Sequence, residues 1–475
     1  MEYLPTIGIE VHAQLLTQSK MFCDCPNAFG GEPNTRCCPI CLGLPGVLPV
    51  ANKQAIEFTM MTGLALNCTI APEARFARKN YLYPDLPKGY QISQYESPIS
   101  AKGYIDLQVD GVTKRIGITR CHLEEDTGKL MHTPAGTSLL DFNRCGVPLM
   151  EIVTEPDMNS TAEARAYLTA LRAILQYLGV SSANMEEGAM RCECNVSVAP
   201  AGADKFGVKV EVKNLNSFRS AVQSLEYEIE RQTRALERGE PIAQETRRWD
   251  EANLVTAPMR SKESAHDYRY FPDPDLVPFA FAPDWVHEVR ARLPELPAAR
   301  RQRFVAEYGL PEYDAGVLTE SKALADYYEE CVRLRPDPKV VSNWLTSELS
   351  GLLNERGMSI EECPVRPAAL GELLGLIKAG TISGKIAKSV LQTMFESGKG
   401  AAAIVEEQGL TQISDEAALA QTIEQVLREH GDVVAKVKAG QTKALAYLVG
   451  QVMKATGGRA DPARVNEMLR RALEA

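Results

Sequence analysis

Hydrophobic and polar residues alternate in the segment IGIEVHAQL near the start of the chain, which is the pattern of a β-strand with one buried face. Glu10 and His12 lie on the polar face of this predicted strand, and Ile9 and Val11 lie on the opposite face. The same alternation places acids on the polar faces of three further predicted strands, at Glu151, Glu193 and Glu211. The sequence therefore predicts a sheet that carries several acids on one face.

The hydrophobic pattern changes along the chain and predicts three domains, in line with a prior of about 150 residues per domain. Residues 1–292 combine short strands with helices and with turns rich in Gly, Pro and Asn, which is typical of a large α+β domain. Residues 293–406 have an almost continuously helical pattern. Residues 407–475 form a small terminal helical module, in which an Asp-Pro pair predicts a helix start.

The composition of the 475 residues, with 45% hydrophobic and 24% charged, is that of an ordinary soluble globular protein. No apolar run approaches the length of about 20 residues that a membrane span needs. The opening residues include acids and no basic stretch, so we expect a cytoplasmic protein without membrane association. In that compartment, twelve cysteines are expected to be thiols or metal ligands and not disulfides.

Charge is distributed unevenly along the chain. The net charge is −10, yet residues 436–475 contain eight Lys or Arg against three acids and therefore carry +5. The remainder of the chain carries −15. This asymmetry predicts that the terminal module contacts the phosphates of a nucleic acid, and the alternative is a solvated helix face.

Two closely spaced cysteine pairs stand out in a loop rich in Gly, Pro and Asn at residues 23–41. Cys23 and Cys25 form the first pair, and Cys38 and Cys41 form the second. Tetrahedral zinc takes four soft ligands, which two such pairs supply, so the spacing predicts a structural Zn²⁺ site. Buried free thiols and a redox role are the alternatives, and Cys37 in place of Cys38 stays open.

The acids on the strand faces predict a binding site for a charged ligand. Acids and a histidine gathered on one face repel one another unless cations bind, and Mg²⁺ with the phosphates of ATP is a natural counter-charge. The segment HLEEDTG, residues 122–128, adds acids at a strand end. The alternative is a solvated face in which each acid pairs with Lys or Arg. The chain has neither GxxxxGK[ST] nor GxGxxG in a suitable context, so ATP is expected on the metal-bearing sheet.

A series of segments in order along the chain resembles the B-subunit family of the GatCAB aspartyl/glutamyl-tRNA amidotransferases. They are GIEVHAQL, CPICLGLPGVLPV, RKNYLYPDLPKGYQISQ, RIGITRCHLEEDTGK, DFNRCGVPLMEIVTEPD, MEEGAMRCECNVSV, VKNLNSF, QETRRWD and DYRYFPDPDLVP. Towards the C-terminus, SGKIAKSVL and KALAYLVGQVMKATGGRADPARVN resemble the helical and YqeY-like tail domains of that family. Some members of the family lack the four cysteines, whereas this chain has them.

The resemblance implies a cradle domain related in fold to glutamine synthetase, in which an antiparallel sheet holds Mg²⁺ and ATP, followed by helical domains that hold tRNA. It implies that the side-chain carboxylate of a misacylated tRNA, Glu-tRNA(Gln) or Asp-tRNA(Asn), is phosphorylated and then amidated. Ammonia would come through a channel from the A subunit, a glutaminase, in a heterotrimer with a C subunit. The chain itself has no GxSxG elbow and no Gly- and Ser-rich amidase stretch, which agrees with an external ammonia source.

By position, the resemblance also implies roles for individual residues. Those expected around Mg²⁺ and ATP are Glu10, His12, Glu125 and Glu151, with Glu193 and Glu211 as second candidates. Those expected to contact phosphate or the ammonia channel are Lys79, Lys88 and Arg191. Glu125 and these three cations are the expected catalytic residues.

Two other functions stay open from the sequence. One is a stand-alone ligase of the glutamine-synthetase type that acts on a small molecule, although the basic tail counts against it. The other is a non-catalytic RNA-binding scaffold that uses zinc and the tail, with the acidic strand faces as solvated surface. The sequence leaves open which misacylated tRNA is used, how many Mg²⁺ ions bind and which surfaces contact the partner subunits.

Overall fold

The computed structural model divides the chain into two compact units, Met1–Pro297 and Ala298–Ala475. The residues that the structure describes are 2–261, 268–334, 337–411, 416–438 and 442–474. The first unit has one hydrophobic core, and the second has two. The finer boundaries at 292 and 406 stay predictions.

The first unit is built from sixteen strands and four helices within its described residues. The strands are β1 (Tyr3–Gln14), β2 (Thr69–Ile70), β3 (Glu73–Ala74), β4 (Ala77–Asn80), β5 (Tyr90–Ser93), β6 (Ser100–Val109), β7 (Val112–Glu125), β8 (Lys129–His132), β9 (Ser138–Asp141), β10 (Pro148–Thr154), β11 (Met190–Pro200), β12 (Val210–Leu215), β13 (Glu245–Asp250), β14 (Val255–Ser261), β15 (Phe271–Pro272) and β16 (Phe279–Ala280). The helices are α1 (Lys53–Ala65), α2 (Thr161–Leu178), α3 (Phe218–Glu237) and α4 (Pro283–Ala291).

Nine of these strands form one sheet in the order β14-β13-β12-β11-β1-β10-β7-β6-β2. All neighbours are antiparallel except β12 and β13, which run parallel and are connected through α3. Small sheets are formed by β15-β4-β5, by β16-β3 and by β8-β9. The strand β1 lies near the centre of the large sheet, so its side chains have strands on both sides.

The two faces of the large sheet differ in polarity, as the alternating pattern predicts. Ile9, Val11 and Cys194 are almost fully buried, and they share one core with residues of α1, α2 and α3. The opposite face carries Glu10 and His12. Because side chains alternate along a strand, burying the apolar face under helices leaves the polar face as a continuous surface across several strands.

The helix α2 shows why the local sequence forms this packing layer. Ser160 accepts a hydrogen bond from the amide of Glu163, which caps the first turn, and Gly179 ends the helix in a left-handed conformation with φ of 67°. Tyr167 and Leu171, four residues apart, are both fully buried. These local interactions account for the start and the end of α2.

The second unit is helical throughout its described elements. They are α5 (Pro297–Tyr308), α6 (Glu312–Thr319), α7 (Lys322–Leu334), α8 (Pro338–Asn343), a π-helix (Trp344–Leu349), α9 (Ser350–Arg356), α10 (Pro367–Lys378), α11 (Gly384–Ser397), α12 (Ala401–Glu407), α13 (Glu416–Glu429), α14 (Gly431–Lys438), α15 (Thr442–Ala455) and α16 (Pro462–Glu474). One core lies among α5 to α12, and a smaller one, around Leu448 and Val465, lies among α13 to α16.

Proline and capping residues account for several of these helix starts. In α16, Pro462 occupies the first helical position, and the Asp461 carboxylate accepts a hydrogen bond of 2.8 Å from the amide of Ala463. The predicted fold class is therefore confirmed, as a large mixed α and β sheet domain followed by helical regions. Among the described residues, no helix combines the length and apolar character required to cross a bilayer.

Candidate functional site

Three strands of the large sheet bring a histidine and two glutamates together on the polar face. Glu151 of β10 lies opposite His12 of β1 on one side and opposite His122 of β7 on the other. Glu124 is two residues from His122 and therefore points to the same face. The ligand atoms of His12, Glu124 and Glu151 all lie within 4.8 Å of one another. We call these three residues the trio.

Polar contacts hold the trio in place. Nε2 of His12 lies 3.3 Å from Glu151 and 3.7 Å from Glu124. Nε2 of His122 lies 3.3 Å from Glu124 and 3.5 Å from Glu151. The hydroxyl of Ser93, on β5, donates a hydrogen bond of 2.6 Å to Glu124. Each carboxylate therefore contacts both imidazoles, which fixes its orientation.

The electrostatics of the trio follow from this packing. Burial lowers the pKa of His12, but the hydrogen bond to Glu151 and the charge of Glu124 outweigh burial and raise the pKa to about 9. Burial raises the pKa of Glu151, but the charges of His122 and His12 hold that pKa below its usual range. Carboxylate oxygens are the ligands that Mg²⁺ prefers, so the two glutamates fit a hard divalent cation. Such a cation would compete with the proton on His12.

A second acidic group lies on the same face, beginning two residues earlier on β1. Glu10 lies opposite Glu193 of β11, and their carboxylates lie within 4.8 Å of that of Glu211. Burial raises the pKa of Glu10, and the charges of the neighbouring acids add to this effect. Nζ of Lys213 lies 2.7 Å from Glu193 and 3.8 Å from Glu211. Three carboxylates this close to one another fit the oxygen ligand set of a second divalent cation.

Glu125 lies outside both acidic groups, although the sequence predicts it beside Mg²⁺. Side chains alternate along β7, so the carboxylate of Glu125 points to the opposite face from that of Glu124, which belongs to the trio. It forms a buried ion pair with Lys88 and accepts a hydrogen bond of 3.0 Å from the amide of Ile92. The structure thus brings Glu124 to the predicted metal position and pairs the two predicted catalytic residues Glu125 and Lys88 elsewhere.

This buried pair leads to a prediction about stability. We expect Lys88→Met to destabilise the first unit by about 3 kcal/mol, because it leaves the Glu125 carboxylate buried without its counter-charge. A Lys88→Met, Glu125→Gln double variant should recover most of this loss. Calorimetric or denaturant unfolding of the purified chain measures both changes.

The matched control is Lys53→Met, which removes an exposed lysine whose ammonium lies 3.8 Å from Glu57. It should change the free energy of unfolding by less than about 0.5 kcal/mol. Equal effects of the two lysine substitutions would contradict the buried ion pair.

Arg191 lies opposite His12 in the register of β1 and β11. Its guanidinium donates a hydrogen bond of 2.8 Å to Asp126, which also accepts one of 2.9 Å from Gln14. Burial raises the pKa of Asp126, but Arg191 and Arg144 hold that pKa below its usual range. Asp126 therefore anchors Arg191 beside the central strand, in a position suited to an anionic ligand on the polar face.

Lys79, on β4, lies beside the trio. It pairs with Gln91 of β5 in the register of the small sheet, and its ammonium lies 4.9 Å from the centre of the Tyr268 ring. Burial lowers the pKa of Lys79, but the charge of Glu124 and, to a smaller extent, that of Glu151 raise it above its ordinary value. Lys79 thus places a permanent positive charge where phosphate groups on a cation bound to the trio would lie.

The four predicted cysteines converge at a separate place in the first unit. The sulfur atoms of Cys23, Cys25, Cys38 and Cys41 lie within 4.8 Å of one another. Cys37 is not among them, and its thiol contacts the carbonyl of Asn34 at 3.3 Å. Four thiols at this separation fit tetrahedral Zn²⁺ coordination.

One of these thiols lies in an environment that favours a thiolate. The contact with Cys23 lowers the pKa of Cys41 most strongly, and the amide of Cys38 at 3.1 Å and the charge of Lys20 lower it further, to about 5 despite partial burial. The ammonium of Lys20 is 3.8 Å from the Cys41 sulfur and donates a hydrogen bond of 2.7 Å to the carbonyl of Arg36. Lys20 is only 1% exposed, so its charge is balanced inside the protein.

From the sequence, His122 and Glu124 were expected only as part of the segment HLEEDTG, which could add ligands at a strand end, and they were not singled out as members of the central group. The available signal was the alternation of β7, since His122 and Glu124 have the same parity and Glu125 does not. His122 lies directly opposite Glu151, which was predicted, so the pairing of the two strands would have identified both. Strand register depends on the tertiary structure and cannot be predicted from a single sequence.

Comparisons with known proteins cover nearly all of the chain. Residues 5–287 match the model of the GatB/GatE catalytic domain, and residues 326–473 match that of the GatB domain. The chain is 58% identical over 476 residues to the B subunit of the aspartyl/glutamyl-tRNA(Asn/Gln) amidotransferase of Moorella thermoacetica, with 100% of both chains covered. It is 55% identical to the proteins of the same name from Thermodesulfovibrio yellowstonii, over 99% of both chains, and Thermoanaerobacter pseudethanolicus, over 100% of both.

Proposed function

Because the chain belongs to the B-subunit family of the aspartyl/glutamyl-tRNA(Asn/Gln) amidotransferases and is thus part of a tRNA-dependent amidotransferase, we propose that its polar sheet face is the amidation site. At this site, ATP phosphorylates the side-chain carboxylate of a misacylated tRNA, and ammonia then forms the amide. The observation that carries the proposal is the trio of His12, Glu124 and Glu151 with Lys79 beside it.

The arrangement of charges supports this assignment. The trio and the second acidic group, Glu10, Glu193 and Glu211, are two sets of carboxylates on one surface. Mg²⁺ bound there would neutralise the phosphates of ATP and the charge that develops on the transferred group. Lys79 and Arg191 add fixed positive charges on either side of His12 for the phosphates and the substrate carboxylate.

The proposed chemistry consists of two displacements. An oxygen of the substrate carboxylate attacks the γ-phosphorus of ATP, and ADP leaves with the electron pair of the broken P–O bond. Ammonia then attacks the carbonyl carbon of the acyl phosphate, phosphate leaves, and the nitrogen loses a proton to give the amide. Carboxylates among the surrounding acids are available to accept that proton. The activation is required because a carboxylate oxygen is a poor leaving group until it is phosphorylated.

We further propose that the ammonia comes from a glutaminase A subunit, with a C subunit completing a heterotrimer in the cytoplasm. The names of the relatives describe the B subunit of an amidotransferase. Lys88 and Glu125 form a buried ion pair and line one cavity together with Cys23 and Cys41, so we place this cavity on the path of ammonia. Cys23, Cys25, Cys38 and Cys41 are proposed to hold a structural Zn²⁺ that shapes the loop along this path.

The helical tail is proposed to bind tRNA through its phosphates. Its basic residues include an exposed set on α14, α15 and α16, namely Lys436, Lys438, Lys454, Arg464, Arg470 and Arg471. Exposed cations on helices release counterions when they meet an RNA backbone, which gives affinity without reading the sequence. The tail would therefore hold the tRNA while the cradle performs the chemistry.

Neither of the other two functions is favoured. A stand-alone ligase for a small molecule does not account for the basic tail, and identity above 50% along the whole chain points to a tRNA-dependent enzyme. A non-catalytic scaffold does not account for the gathering of two histidines and two buried glutamates around one point. Whether Glu-tRNA(Gln), Asp-tRNA(Asn) or both are substrates is decided by the following assay.

The test is a single-turnover assay with each misacylated tRNA, the purified chain, ATP and Mg²⁺, with ammonium chloride in place of the glutaminase. We expect ADP formation that depends on the charged tRNA, and amide formation that depends on ammonium. Uncharged tRNA should give neither product. ADP formation that ignores the amino acid on the tRNA would contradict the proposal.

A further inference from the structure

Four tyrosine rings from two distant parts of the chain converge near the trio. Tyr95 stacks on Tyr270 with ring centres 4.3 Å apart and an angle of 12° between the planes. Tyr81 meets Tyr268 edge-on at 5.9 Å, and Tyr268 meets Tyr270 in the same way at 6.2 Å. Nearly 190 residues separate Tyr81 from Tyr268, so the fold assembles this group. We call these four residues the tyrosine cluster.

The small sheet β15-β4-β5 ties the tyrosine cluster to the amidation site. Phe271, next to Tyr270, pairs with Arg78 of β4. The following residue, Lys79, carries its ammonium over the ring of Tyr268. Burial raises the pKa of Tyr270 to about 12, and the charges of Glu124 and Glu151 contribute to the rise while Lys79 opposes it. The side chain of Lys79 therefore lies between the tyrosine cluster and the trio.

Packing inside the protein does not cover all the ring faces of the tyrosine cluster. Tyr95 is 40% exposed although Tyr270 covers one of its faces, so a large part of its side chain is open to solvent. Tyr81 and Tyr268 are half-buried. Open tyrosine rings next to a lysine are the side chains on which proteins stack the bases of unpaired nucleotides, because every base has a flat π-face and a phosphate nearby.

We infer that the tyrosine cluster binds the adenine of the 3′-terminal adenosine of the charged tRNA. The inference rests on the proposed function. The amino acid is esterified to the ribose of that adenosine, so a side-chain carboxylate placed at the trio brings the base to within a short distance of it. The cluster lies beside the trio, because Lys79 interacts with Glu124 and its ammonium lies 4.9 Å from the centre of the Tyr268 ring. ATP also contains adenine, but its base is separated from the reacting phosphorus by two further phosphates and a ribose.

The test uses the purified heterotrimer with misacylated tRNA and ammonium chloride. We expect Tyr95→Ala to raise the KM for charged tRNA by about 5- to 100-fold, the range that loss of one base stack produces. Tyr95→Phe keeps the ring and should change that KM by less than about twofold. The control is Tyr104→Ala, which removes a tyrosine of the same unit whose ring is covered by the guanidinium of Arg115 at 3.8 Å. It should leave the KM for charged tRNA unchanged.

Inhibition by uncharged tRNA identifies the base directly. Changing the terminal adenosine to cytidine should weaken inhibition of the wild-type enzyme and have a much smaller effect on the Tyr95→Ala variant, because the lost stack is the same one. An unchanged KM for charged tRNA in Tyr95→Ala would overturn the inference. So would a rise confined to the KM for ATP, which would assign the rings to the nucleotide. Failure of the proposed function is distinguishable, since the wild-type enzyme would then show no ADP formation that depends on charged tRNA.

Discussion

A Glu151→Gln variant of the assembled enzyme should lose tRNA-dependent ATP hydrolysis by about 10²- to 10³-fold while its glutaminase activity persists. The substitution keeps the shape of the side chain and removes the negative charge that lies opposite both His12 and His122. A neutral amide at this position binds a divalent cation poorly. It also no longer offsets the positive charge of the imidazoles, which then repel the cation. ADP release with saturating charged tRNA measures the loss.

A pair of neighbouring substitutions sharpens this test. Glu124→Gln should raise the Mg²⁺ concentration required for half-maximal ADP formation, because Glu124 belongs to the trio. Glu125→Gln together with Lys88→Met should leave that concentration unchanged, because the two side chains pair with each other and the double change leaves no buried charge unpaired. Exposed Glu230→Gln is the control for purification and folding. A Mg²⁺ requirement that shifts with Glu125 and not with Glu124 would show that Glu125 is the ligand and that the geometry described here is not the working one.

Replacing Cys25 and Cys41 together by serine should remove bound zinc completely and destabilise the first unit by several kcal/mol. Serine has nearly the same volume but does not supply the soft thiolate that Zn²⁺ prefers. The free energy of zinc binding is then no longer available to fold the loop at residues 23–41. Metal content of freshly purified protein and thermal unfolding with and without a chelator measure the two effects.

The neighbouring Cys37 provides the matched control. Its thiol contacts the carbonyl of Asn34 and lies outside the group of four, so Cys37→Ser should retain one zinc per chain and the wild-type unfolding temperature. Zinc retained in the double variant, or lost in Cys37→Ser, would contradict the assignment of the four ligands.

Much of the fold was predictable because it depends on local pattern. The alternation in β1 predicted which residues face the core, and burial of Ile9 and Val11 confirms it. Ser160 and Gly179 bound α2 through interactions that reach only a few residues along the chain. The spacing of the two cysteine pairs predicted the group of four, since the members of each pair are only two or three residues apart.

The parts that the sequence did not predict depend on register and on distant contacts. A shift of one residue along β7 would put Glu125 in the place of Glu124. Only the pairing with β10 decides which of the two glutamates lies beside His12 and Glu151. The contact of Tyr95 with Tyr270 joins residues that are 175 positions apart, and no local pattern encodes it. For a candidate site assembled from several strands, the sequence therefore predicts the types of residue better than it predicts which individual residues belong to the site.

Because Lys20 is buried, its replacement during evolution is coupled to the replacement of the cysteines. An ammonium that is 1% exposed is tolerable here because it contacts the Cys41 sulfur, whose thiolate is favoured, and donates hydrogen bonds to the carbonyls of Arg36 and Phe142. In a lineage that replaced the four cysteines by neutral residues, the same lysine would become an uncompensated charge in the interior, at a cost of several kcal/mol. Members of the family without the cysteines should therefore have a neutral residue where this chain has Lys20, and the order of the two losses is constrained. Loss of the lysine first leaves a functional metal site, whereas loss of the thiols first leaves a destabilised protein.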